Sequence, residues 1–201
     1  MQTQIVGQVG PQVIADGTSN PIRQEKTGGV VVQELHGRYF EQVYRGNVFS
    51  ALTQAAGALS VALATTYTGL LVYNPIGSPV NLSILKVKLA LSVAPASISM
   101  IGLISGSQTV APTGLTAASV YNNQVGSQQT GAGVAYSAAT ILTPVWRMFL
   151  YDGFTASALP APTLPVDLEG SVIVKPGSFI ALGAMAAVTG YGMIMWEEIP
   201  V

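Results

Sequence analysis

The chain holds a single histidine, His36, and no cysteine. A Ser–His hydrolytic arrangement would have to rest on His36 alone, and a multi-histidine or thiolate metal site is excluded by composition. His36 stands beside Gly37 and Arg38 in a polar stretch, where a structural imidazole is the ordinary role. Two carboxylate pairs, Asp167/Glu169 and Glu197/Glu198, have the residue types needed for acid–base hydrolysis. The first lies between Pro165 and Gly170 and reads as a solvated loop. The second ends an alternating run just before Pro200, where adjacent strand residues face opposite sides. Gly126–Gly133 (GSQQTGAG) has the glycine content of a phosphate loop, but no Lys-Ser/Thr follows it. Gly102–Gly106 (GLISG) reads as a strand end. The amides and hydroxyls of Tyr121–Gln129 (YNNQVGSQQ) could hold a sugar, although an exposed loop of this composition needs no ligand. Trp146 and Trp196 both lie within apolar runs rather than on loops. No catalytic, cofactor-binding or metal-ligating residue is expected.

Charge is scarce and uneven. Only 8% of the 201 residues are charged, against about 25% in ordinary soluble domains. Eight of these charges fall within residues 1–45, and only Lys86 and Lys88 fall within residues 46–146. With eight Lys+Arg against nine Asp+Glu, the chain has no basic footprint for nucleic acid. A surface so poor in charge is solvated by Ser, Thr, Asn, Gln and Gly or is covered by neighbours. The mean hydropathy is positive, and Ser178–Trp196 is uncharged over 19 residues, close to bilayer length. Gly183, Gly190 and Gly192 interrupt that stretch, so it reads as a hairpin with Met193, Met195 and Trp196 on the return strand. The N-terminus has neither a positive segment nor an apolar core, and neither a secretory signal nor membrane insertion is expected.

These residues sit on a β framework. Residues 1–29 are rich in Gln, Gly, Pro, Thr and Ser and show no apolar period, which predicts an extended arm. Val30–Val32 reads as a short strand, and Leu35–Arg45 is ambiguous, with Leu35, Tyr39 and Val43 at helical spacing but Gly37 and Tyr39–Phe40 weakening a helix. From Gly46 onward the pattern is β. Val80, Leu82 and Ile84 alternate with polar residues, then the phase slips and Val87, Leu89, Leu91 and Val93 alternate with Lys86 and Lys88. Such a slip at Ile84–Leu85 is the mark of a β-bulge in one long strand. Asn74–Pro79 is a dense turn signal separating that strand from Gly69–Tyr73. Further runs cover Ile98–Ile104, Val134–Leu142, Val145–Tyr151, Ser171–Val174, Phe179–Ala184 and Gly192–Ile199. Ala55–Thr65 is Ala-rich, but Leu59, Val61 and Leu63 alternate, so it is read as strand. Many short strands divided by turns predict an all-β antiparallel sandwich or jelly roll over residues 46–201, preceded by an arm and lead-in over 1–45.

Gly37–Ala51 (GRYFEQVYRGNVFSA), Thr65–Val87 (TTYTGLLVYNPIGSPVNLSILKV), Lys175–Gly183 (KPGSFIALG) and Trp196–Pro200 (WEEIP) together resemble virion structural proteins of tailed bacteriophages. The resemblance covers most of the chain in order. It implies a jelly-roll or sandwich component that decorates or cements a capsid, located in a virion assembled in the host cytoplasm. A tail or fibre part that binds a receptor or carbohydrate is the alternative. The implied partners are further copies of the chain, by analogy a trimer, and the major capsid protein or other virion proteins. No enzyme activity and no cofactor are expected.

Overall fold

The computed structural model describes residues 37–93, 99–154 and 165–201, together with Gly7–Gln8 and Ile22–Arg23. The chain divides into two units, residues 1–40 and 41–201. In the first, β1 (Gly7–Gln8) pairs in parallel with β2 (Ile22–Arg23). The rest of the arm expected over 1–29, the Val30–Val32 strand and His36 lie outside the described residues. The ambiguous lead-in forms a five-residue helix, α1 (Phe40–Tyr44). Glu41 and Arg45 pair one turn apart at 2.6 Å.

Among its described residues the second unit carries twelve strands: β3 (Val48–Leu52), β4 (Gly57–Leu59), β5 (Thr66–Asn74), β6 (Val80–Leu91), β7 (Ser99–Ser107), β8 (Thr113–Ala118), β9 (Val120–Asn122), β10 (Val134–Thr140), β11 (Val145–Phe154), β12 (Pro165–Val174), β13 (Ser178–Ala184) and β14 (Val188–Pro200). They form two antiparallel sheets, β11-β7-β13-β5-β10-β8 and β12-β6-β14-β3-β9. Between them lies a core built around Leu70, Val72, Leu82, Ile84, Val87, Leu103, Ile180, Leu182, Ile194 and Trp196. The pairs β5–β13, β6–β12, β7–β11 and β8–β10 are nested, each enclosing the next along the chain. Nested antiparallel pairing is how a long hairpin winds into a jelly roll. Here the innermost pair joins β5 through β10, so it extends the first sheet rather than the second.

The bulge expected in β6 is present. Lys86 pairs with Met195 and Ile84 with Trp196, leaving Leu85 outside the ladder. Val87 and Leu89 are buried and Leu91 packs half-buried against the core. Val93 departs from expectation, at 58% exposed, because β6 ends at Leu91 and the core it would have entered ends with it. Asn74 closes the preceding turn from inside, its buried Nδ2 donating to the carbonyls of Val80 at 2.8 Å and Val174 at 3.0 Å.

Two other expectations need correction. Ser178–Trp196 is not a hairpin within one sheet. Its first half, β13, pairs with β5 and β7, whereas its second half, β14, pairs with β3, β4 and β6 in the opposite sheet. The chain crosses the core between Ala184 and Val188, since alternating apolar residues bury equally well in either sheet. Likewise, Gly102–Gly106 lies inside β7 rather than at its end. The Trp146 indole lies over the paired Gly102 and Gly183, so a side chain at either position would meet the ring. Within Ala55–Thr65, the strand reading holds for Gly57–Leu59, where pairing with Val188–Gly190 overrides the helix preference of alanine. No helix among the described residues is long and apolar enough to cross a membrane.

β4 and the residues after it tie the two sheets together. Ser60 donates its amide to Thr68 of β5, and Ala62 donates to Ala184 of β13, while β4 itself pairs with β14. The first sheet is also apolar on its outer face. Tyr67, Leu71, Tyr73, Ile104, Ile141 and Phe179 form a second buried cluster there, with Leu63, Tyr136 and Trp146 packed against it. A sheet apolar on both faces has few positions left for charge, which accounts for the uncharged run between Lys88 and Arg147.

Candidate functional site

The carboxylate pairs are separated by the geometry of their strands. Asp167 lies on β12 and pairs with Lys86 of β6 at 3.1 Å. Glu169 follows in a bulge between Asp167 and Val172, with φ at 52°, beside Gly170 at 83°. Glu197 and Glu198 face opposite sides of β14, as expected. Partial burial raises the Glu197 carboxyl above its ordinary value. Glu198 turns toward the Gly126–Gly133 loop, where its Oε2 accepts from the Ala132 amide at 3.0 Å. Its Oε1 accepts from the Gly133 amide at 2.9 Å and faces the Trp196 indole nitrogen at 3.3 Å. The amides that a phosphate loop would offer an anion are thus already used by a carboxylate of the same chain. Gly131 and Gly133 serve close packing, since a Cβ would press on Phe49 at the first and on Leu82 and Trp196 at the second, whereas Gly126 supplies a φ of 89°.

Tyr121–Gln129 is likewise held by its own polar groups. Asn122 donates to the Gly46 carbonyl at 2.7 Å and accepts from the Gln124 amide at 2.8 Å. Asn123 accepts from the Ser50 hydroxyl at 2.7 Å. Tyr121 is about half exposed and meets the Gln54 amide, while Val125 stands at the tip. Of the two tryptophans, Trp196 is fully buried and stacks on Phe49 at 6.3 Å. Trp146 is partly buried against Phe149 at 5.6 Å.

Two features emerge that residue types alone did not single out. The first is the outer face of the second sheet. Cross-strand register aligns Asp167, Lys86, Met195, Ser50 and Tyr121 in one row, and Pro165, Lys88, Met193 and Leu52 in the next. The row's two opposite charges neutralise one another, leaving methionine, serine and tyrosine on the other three of its five strands. The second is a cleft of about 570 Å³ where β11 and β12, the terminal strands of the two sheets, come together. Arg147 and Lys175 stand on its two walls, and Ser105, Ser107, Ser171 and Ser178 line it. A polarity switch along β7, from Ile101 and Leu103 to Ser105 and Ser107, was the available signal. Its meaning depends on Ser178 and Lys175, some seventy residues away.

Compared with known proteins, the chain matches no family model, no curated protein and no solved structure.

Proposed function

We propose that this chain is a structural protein of a virion that decorates a capsid and stabilises it by bridging capsid subunits, acting through an interface rather than a reaction. The observation that carries this reading is the outer face of the second sheet. Met193, Met195, Leu52, Tyr121 and Tyr191 are spread over a sheet face poor in charge, where Lys86 and Asp167 satisfy one another and Lys88 stands exposed beside Met193. Interfaces are enriched in Met and Tyr and depleted of unpaired charge at their centres, because desolvating a lone charge is costly. Ser50 costs little to desolvate by comparison. The scarcity of charge along the chain and the resemblance to tailed-phage virion proteins support the same conclusion. Copies associate as a closed ring, in analogy with other virion jelly rolls a trimer, and dock on the major capsid protein.

Particles assembled with and without the protein provide the test. Light scattering is expected to give an oligomer, and decorated particles are expected to withstand higher temperature. Met195→Glu, which places a charge at the centre of the proposed face, should abolish decoration while the isolated chain stays folded. A monomer whose absence leaves the particle equally resistant to heat overturns the proposal.

A further inference from the structure

We propose that the cleft between β7, β11 and β12 binds an acidic saccharide, a ligand carrying a carboxylate on a polyhydroxylated ring. The starting point is the register between β7 and β13. Ala184 pairs with Ile101, Leu182 with Leu103, Ile180 with Ser105 and Ser178 with Ser107. Cross-strand partners share a face, and Ile101, Leu103, Ile180, Leu182 and Ala184 belong to the core between the sheets. Ser105, Ser107 and Ser178 therefore also face the gap between the sheets. A sandwich that closed fully would carry apolar residues there, since a buried hydroxyl without a partner is costly. At this corner the inner face instead turns to hydroxyls and lines an open cleft.

Two cations reach that cleft from opposite walls. Arg147 donates its Nε to the Ser105 hydroxyl at 3.0 Å, which steadies the guanidinium and leaves its terminal nitrogens for a ligand. Lys175 projects from the β12–β13 turn. That turn is fixed by Gly177 at φ 77° and by the Ser178 amide donating to the Lys175 carbonyl at 3.1 Å. Of the other cations of the sandwich unit, Arg45 is matched by Glu41 and Lys86 by Asp167, while Lys88 stands exposed on the outer face of the second sheet, away from the cleft. None of the described residues lining the cleft is an aspartate or glutamate. An arginine fork matches a carboxylate in two parallel hydrogen bonds, and serine hydroxyls both donate to and accept from ring hydroxyls. Val145 and Ile173 at the rim, each about half exposed, offer apolar contact to the C–H face of a ring. The volume lies within the range of ordinary ligand sites.

The full chain, labelled for amide NMR, is titrated with D-glucuronate, D-glucose and inorganic phosphate. Glucuronate is expected to shift the Ser105, Arg147, Lys175 and Ser178 amides. Arg147→Ala and Lys175→Ala should each weaken it about tenfold, the ordinary worth of one charge-assisted hydrogen bond. Arg147→Lys should fall between wild type and Arg147→Ala, because it keeps the charge and loses the fork. Both side chains are exposed, so thermal unfolding of the variants should match wild type. Equal binding of phosphate would reduce the cleft to a site for charge alone and overturn the proposal. Equal binding of glucose, or no shift at millimolar glucuronate, would overturn it too. Because the titration uses the free protein, its outcome is independent of whether the chain decorates a particle.

Discussion

The Tyr67 hydroxyl lies 2.7 Å from the carbonyl oxygen of Leu182, and 2.9 Å from that of Leu70. The β5–β13 ladder runs from Asn74 to Leu71 on β5 and stops there. Beyond it, the fully buried phenol takes over from the backbone as donor. Tyr67→Phe leaves these carbonyls without that donor, and should cost about 1–3 kcal/mol, read as a lower denaturant midpoint with unchanged slope.

The same phenol gives an alkaline signature. Burial pushes its ionisation well above the ordinary tyrosine value of 10.0. The folded state therefore keeps a proton that the unfolded chain has released. Stability from this group is fully present below pH about 10 and declines as pH rises toward the folded value. Unfolding followed from pH 8 upward should show this decline in wild type, and Tyr67→Phe should show less of it.

Gly69 is expected to be energetically coupled to Tyr67. Its φ is 117°, and a Cβ there would lie 2.7 Å from the Tyr67 oxygen. Gly69→Ala should destabilise strongly through both strain and collision. Removing the oxygen relieves the collision only, so the double variant Gly69→Ala/Tyr67→Phe should be more stable than the two single losses added together. Strict additivity in a denaturant series would contradict this arrangement.

Glu198 pins the Gly126–Gly133 loop, and Glu198→Gln should loosen it. The amide keeps one acceptor but loses the charge that strengthens both backbone contacts. Faster hydrogen exchange at Ala132 and Gly133 is expected, with a stability loss of about 1–2 kcal/mol. Unchanged exchange at those two amides would show that the loop is held by packing on Phe49 and Trp196 instead.

Glu197, its neighbour, predicts a pH dependence of the opposite use. Partial desolvation raises its carboxyl above 4.5, so the folded state favours the protonated form. Stability from this group is present below the unfolded value and is lost as pH rises through the folded one. Glu197→Gln, a permanent mimic of the protonated form, should match wild type at pH 3 and exceed it in melting temperature at pH 7.

Alternation around Lys86 and Lys88 made the long strand legible, and the phase slip located its bulge, because the pleat ties side-chain direction to residue parity. β8 was not legible. Its sequence, Thr113–Ala118, offers threonine, glycine and alanine instead of an apolar period, and it becomes a strand by pairing with β10. Nor could local pattern show that β13 and β14 belong to different sheets. That choice is made by Leu71 opposite Ala181 and by Val87 opposite Ile194, partners a hundred residues away. The cleft was hidden for the same reason. Arg147 and Lys175 are unremarkable in sequence and face one cavity only once two sheet edges are brought side by side.

The nested pairing has a kinetic consequence. β8 and β10 are the only pair of the four whose partners leave the ribosome close together, whereas β5 must wait for β13. β14 is the shared neighbour of β6 and β3 at the middle of the second sheet. Until it is synthesised, both remain without the strand that joins them. Contacts of such long sequence separation place the fold among slow folders. Losing the C-terminal strand would not trim an edge but divide the sheet in two.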